Sequence, residues 1–124
     1  MKKQTFFIAL ILSLFSLSSR AQQTVISGKW QTPNKDFIEF YSEGSAMIGK
    51  QVGTEAENDK KYNNKIVVKE LKSVETKVFE GTVVDPKTDK TYHGRFTINE
   101  SGAQLELKIK LGFLSHNEVW KRVN

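Results

Sequence analysis

Phe79-Glu80-Gly81-Thr82-Val83-Val84-Asp85-Pro86-Lys87-Thr88-Asp89-Lys90-Thr91-Tyr92-His93-Gly94-Arg95-Phe96 decides the fold. Both halves are rich in β-branched and aromatic residues. Between them Asp85-Pro86 opens a turn, because proline presets φ for a type I turn and the aspartate side chain can bond the backbone two residues on. In the second half Tyr92, Gly94, Phe96 and then Ile98 share one face, while His93, Arg95 and Thr97 share the other. A period of two marks a half-buried strand. The stretch reads as a β-hairpin with one face on a core.

Downstream, Asn99-Glu100-Ser101-Gly102 is a turn, and Ala103 to Leu111 alternates cleanly. Ala103, Leu105, Leu107, Ile109 and Leu111 point one way, and Gln104, Glu106, Lys108 and Lys110 the other. A slip of one residue would expose the whole apolar set, so the register is strongly specified. Gly112-Phe113-Leu114-Ser115 turns again, and Asn117 to Val123 is the closing strand. Upstream, Ile26 to Thr32 is a first strand with Trp30 on its inner face, ended by Pro33-Asn34-Lys35. Asp36 to Tyr41 follows, with Phe37 and Ile38 interrupting the alternation and leaving its register open. Ser42-Glu43-Gly44 turns into a third strand, Ser45 to Val52, and Lys65 to Leu71 and Val78 to Val84 are two more. The polar run from Gly53 to Asn64 reads as a solvated linker, with a lid over a pocket as the other reading. Eight short antiparallel strands without an amphipathic helix predict an all-β fold, an up-and-down barrel in preference to a sandwich.

How the barrel shuts is also written in the chain. Trp120 and Arg122 share a face of the last strand, and an inward arginine is costly unless its charge is satisfied. First and last strands are neighbours in a closed meander, so Trp30 can stack on the guanidinium, a contact worth about 0.5–2 kcal/mol. Trp30, Trp120 and Arg122 are the expected closure. The competing reading leaves Arg122 at a solvated chain end.

Gly28-Lys29-Trp30 with a late arginine resembles the Gly-x-Trp and Arg arrangement of lipocalins and other calycins. With Gly44 to Val52, Gly81-Thr82-Val83-Val84-Asp85-Pro86, Lys90-Thr91-Tyr92, Leu105 to Gly112 and Trp120-Lys121-Arg122, the chain more specifically resembles the family called domain of unknown function 2147. The resemblance implies a small exported bacterial protein with an eight-stranded lipocalin-like barrel. Two departures make it a divergent member: Asp89 stands where the family usually has Gly, and Ile109 where it tends to have Gly.

The chain's start points to export. Met1-Lys2-Lys3 is basic, Phe6 to Leu17 is apolar apart from Ser13 and Ser16, and Ser19-Arg20-Ala21 places small residues for cleavage after Ala21. This is the pattern of a signal peptide over 1–21, too short for a membrane span of about 18 or more apolar residues. The domain is then 22–124, in the periplasm or secreted, with no further transmembrane span. Three of the 19 Lys and Arg, and none of the 14 Asp and Glu, lie in 1–21, so the remainder carries +2 rather than the +5 of the whole chain. Its charges are interspersed, without the basic stripe that nucleic-acid binding needs. No Cys occurs, which excludes thiol chemistry, Cys-ligated zinc and disulfides.

No phosphate loop, nucleophile elbow or metal-ligand spacing appears, so neither catalysis nor a cofactor is expected. His93 reads as a surface residue, and His116 with Glu118 lacks a third metal ligand. An eight-stranded barrel can hold one small ligand. The inward residues Phe79, Gly81, Val83, Tyr92, Gly94, Phe96, Leu105 and Leu107 are candidates to bind a small, largely hydrophobic one, with Gly81 and Gly94 leaving room. The rival is a solid barrel that binds a protein or envelope polymer through its surface or the 53–64 loop; on either reading a monomer is expected.

Overall fold

The apolar alternation closes on itself. A computed structural model describes residues 25–123, and the expected signal peptide, 1–21, lies outside them. Eight strands follow in order: β1 (Gly28–Gln31), β2 (Asp36–Glu43), β3 (Ala46–Thr54), β4 (Ile66–Glu75), β5 (Val78–Val84), β6 (Thr91–Ile98), β7 (Gln104–Leu111) and β8 (Leu114–Arg122). Each pairs with the next and β8 returns to β1, giving a closed barrel. Among the described residues, no helix is long and apolar enough to cross a membrane.

The hairpin that anchors the sequence reading pairs in a regular register from Val78↔Thr97 to Val84↔Thr91. Asp85 Oδ1 accepts from the Lys87 amide at 2.9 Å, as its turn requires. Asp89 adopts φ 60°, so an aspartate occupies the left-handed position. The uncertain alternation at Phe37-Ile38 has a structural cause: Phe37 faces Gly53 and Ile38 faces Gln51, so Val52 is bulged out of the ladder. A second bulge near Glu70, at φ 55°, turns Lys69 and Glu70 outward together and brings Leu71 back into the core.

Strand ends differ from the sequence reading. Residues 72–75 belong to β4, so the expected 72–77 connection shrinks to a two-residue turn, and β8 begins at Leu114 rather than Asn117. At the ends of the β7 alternation, Ala103 and Leu111 are exposed, because β6 stops short of both. Loop 53–64 is not a plain linker either. It contains a 3-10 helix, Glu57–Tyr62.

One end of the barrel is sealed. β1 meets β8 only at Trp30↔Arg122 and Gln31↔Lys121, too few ladder positions to hold a seam. Arg122 supplements them. Its guanidinium carbon lies 4.2 Å from the Trp30 ring centroid, Nε donates to the Gly102 carbonyl at 2.8 Å, Nη1 to Ser27 at 2.9 Å, and Nη2 to Val25. Trp30 Nε1 donates to the Ile26 carbonyl at 2.9 Å, which tucks the fully buried Ile26 under the barrel. Partial burial lowers the Arg122 pKa. Among the described residues, the core cluster runs from Ile26 to Trp120.

Replacing Arg122 by Leu leaves three carbonyls without their donor and removes the stacked cation. This should lower the unfolding free energy by about 2–4 kcal/mol, read as a lower urea midpoint. Arg122→Lys keeps the charge but not the fork and should recover half of that at most. An unchanged midpoint in Arg122→Leu would mean that the seam holds without the guanidinium.

Candidate functional site

Opposite the seal, the barrel holds a cavity of about 320 Å³. Its floor is built where inward rows from four strands converge. Phe40, Phe96 and Trp120 pack on one another with centroids 5.7, 5.8 and 6.1 Å apart. Two of these contacts are edge-on and the Phe40–Trp120 pair is stacked, geometries that favour aromatic rings beyond simple burial. Trp120 presents its indole to the cavity, beside Ile38, Val68 and Leu107, and Val83, Tyr92 and Ile109 continue the wall.

The rim is polar. Asp36, Asp59, Asp85 and Glu118 reach the cavity, against Lys87 as the one lysine or arginine in its lining. Lys87 Nζ stands 3.6 Å from Asp59 Oδ1, an ion pair that crosses the mouth between the 3-10 helix and the Asp85-Pro86 turn. Asp36 accepts the Thr54 hydroxyl at 2.6 Å. Glu118 is the carboxylate on the last strand: Oε1 accepts from Trp120 Nε1 at 2.6 Å, and Oε2 lies 3.0 Å from His116 Nε2. The two contacts fix the carboxylate between the indole floor and the solvent edge. The His116–Glu118 pair aims an acceptor. Among the described residues no group of three His, Cys, Asp or Glu could hold a metal ion.

Several of these residues were not singled out from sequence. Gln51 is buried at 2% exposure, and its Nε2 donates to the Asp59 carbonyl at 3.2 Å and to Asn63 Oδ1 at 3.1 Å. One side chain on β3 thus pins the 3-10 helix over the mouth, and Asp59 and Tyr62 come down onto the cavity. Parity along β3 was the available signal, since Met47, Gly49 and Gln51 share the buried face. Rim residues carried in turns have no such period.

Of the eight interior residues named from sequence, Val83, Tyr92 and Leu107 line the cavity. Phe79, Phe96 and Leu105 lie in the filled half, at 0%, 0% and 1% exposure. Gly81 and Gly94 do not open space. A Cβ at Gly81 would lie 3.1 Å from Leu71, and one at Gly94 only 2.6 Å from Val83 Cγ2 and 3.1 Å from Leu107 Cδ1. Larger neighbours have taken both volumes. Ile109, one of the two departures noted above, is on the cavity wall.

An eight-stranded meander with one sealed end and one cavity-bearing end defines a small up-and-down β-barrel of the kind that can enclose one ligand. More narrowly, the chain belongs to the family described as uncharacterized protein conserved in bacteria (DUF2147), whose model matches residues 28–122. No curated protein and no solved structure matched it.

Gln51→Leu removes both bonds that hold the 3-10 helix while keeping an apolar side chain on β3. Each net hydrogen bond is worth about 0.5–1.5 kcal/mol, so amide exchange across residues 59–63 should quicken roughly tenfold, with β5 and β6 unaffected. Unaltered protection in 59–63 would show that the segment is held by other contacts.

Proposed function

We propose that this chain is a non-catalytic binding barrel, active as an exported monomer, for one small molecule with an apolar body and a cationic or hydrogen-bond-donating head. The observation that carries the reading is the cavity at the open end, about 320 Å³ with an apolar aromatic floor and four carboxylates at its rim. Its volume lies near the lower end of the usual ligand-pocket range of about 300–1,000 Å³. The apolar body would rest on Trp120, Leu107 and Ile38, and the head would meet Glu118, already oriented by His116 and Trp120. A fatty acid fits this lining poorly, because its carboxylate would be placed against acceptors of its own sign, with Lys87 alone as counter-ion and already paired with Asp59. In the same reading residues 1–21 are removed on export, which a mature N-terminus at Gln22 would establish.

Two tryptophans occur in the chain. Trp30 lies under Arg122 and Trp120 in the cavity, so Trp30→Phe leaves a single emission reporter at the site. Titration with a medium-chain alkylamine should shift Trp120 emission and raise the melting temperature of the native chain. The carboxylic acid of the same chain length should bind at least roughly tenfold more weakly, the effect of about 1.4 kcal/mol. Glu118→Gln should shrink that preference to about threefold. If neither amines nor neutral alcohols of that length alter emission or melting, the barrel does not take such ligands and the reading falls.

A further inference from the structure

The β7–β8 hairpin extends beyond the barrel wall. β6 follows β7 only as far as Gly94↔Ile109, and β1 follows β8 only as far as Gln31↔Lys121. Between these limits β7 and β8 continue pairing with each other out to Leu111↔Leu114. Lys110 to Ser115 is therefore a two-stranded ribbon without a strand beside it on either side. Its tip is a two-residue turn in which Gly112 takes φ 66°, the positive φ that such a turn needs at its first position. Phe113, at the second, is 97% exposed.

The inner face of this ribbon is continuous with the cavity. Its cross-strand pairs run Leu105↔Trp120, Leu107↔Glu118, Ile109↔His116 and Leu111↔Leu114. The row is almost fully buried at the floor, where Leu105 and Trp120 are 1% and 4% exposed, and opens at the tip, where Leu111 and Leu114 are 42% and 61% exposed. Charge changes along the same path. From Leu107 to Asn117 there is no Asp or Glu, and Lys108 and Lys110 stand on the outer face. A lone aromatic on a narrow apolar wedge, with cations behind it and no acid among them, lacks the breadth of a protein-binding patch. It matches a lipid surface, where aromatic rings settle at the headgroup level and lysines face anionic phosphates.

We propose that the β7–β8 hairpin docks the barrel on an anionic lipid surface, with Phe113, Leu114 and Leu111 inserted among the headgroups and Lys108 and Lys110 against their phosphates. Docked in this way, the apolar row from Leu111 to Leu107 runs from the bilayer to the cavity.

The test uses the processed chain, 22–124, and vesicles of phosphatidylcholine with or without phosphatidylglycerol. Flotation should recover the protein with the phosphatidylglycerol vesicles, less so as salt rises. Phe113→Asp should lower the partition at least roughly tenfold, the effect of withdrawing one Phe side chain from an apolar phase. The melting temperature should be unchanged, since that side chain contacts almost nothing. Phe113→Trp, placed in a Trp30→Phe background, should show a blue shift with these vesicles that the Trp30→Phe chain, which keeps Trp120 alone, does not. The proposal is overturned by an absence of partition, by equal partition of Phe113→Asp, or by an unshifted emission from the Phe113→Trp variant. It is also overturned if Phe113→Asp instead abolishes a dimer, which would assign the tip to a second copy of the chain.

Discussion

A guanidinium shared among three parts of the chain governs this barrel. β1 is four residues long and gives the closing seam two paired positions, whereas every other adjacent pair of strands has at least three. Main-chain pairing alone would leave that seam the weakest line in the sheet. Arg122 compensates by donating to carbonyls before β1 and in the β6–β7 turn while lying flat on Trp30. A planar fork with several donors can do this, and a lysine cannot. Because the fork draws the 25–27 segment beneath the sheet, the same contact that closes the wall also floors one end. The cavity with the aromatic floor lies at the opposite end.

Where that cavity lies follows from how volume is distributed along the axis. Near the seal, aromatic and aliphatic side chains meet at close packing, and inward glycines are matched to large neighbours. Gly94 admits Val83 and Leu107, Gly81 admits Leu71, and Gly49 admits the Phe40 ring. These glycines let thick side chains cross a narrow interior, and Gly94 does so at the edge of the cavity, where Val83 and Leu107 form its wall. Space appears instead where β1 has ended and the chain turns away through 32–35, so that Trp120 and Glu118 on β8 have no β1 residue opposite them. Connections between strands also edge this mouth, and they supply two of its four carboxylates, Asp59 and Asp85.

That division also explains what could be read from the chain and what could not. Alternation along residues 92–98 and 103–111 reports a buried face directly, so strand number, the hairpin register and the inward set from Phe79 to Leu107 were legible. The Trp30–Arg122 contact was legible too, because closure makes the ends neighbours and a cation on an inner face needs a partner. Bulges at Val52 and Glu70 were not, since one inserted residue erases the period from which register is inferred. Gly81 and Gly94 were read as vacancies because a sequence names the missing side chain and not the neighbour that fills its place. Asp36, Asp59, Asp85 and Lys87 sit in connections or at a strand end, outside any periodicity, and only the closed sheet brings them to one rim.

The β7 alternation was read as a core strand throughout, yet its last members, Ile109 and Leu111, reach and then pass the limit of β6 cover. An apolar row that outruns its sheet exposes surface at a cost, and a chain could avoid that cost by turning two residues earlier or by placing polar residues there. This one does neither. It continues the row through Leu111 and Leu114 and ends it with Phe113. The two most exposed large apolar side chains among the described residues, Phe113 and Leu114, sit together at one tip, on the same rim as the cavity and in line with its floor, which is more simply explained by one path than by two unrelated features. The proposed ligand would need only Leu107 and Ile109 of this row, so loss of the tip and loss of the floor would be separable defects. On the two proposals together, a barrel whose floor is intact but whose tip is polar would still take the proposed ligand in solution, and would differ only in where it could collect it.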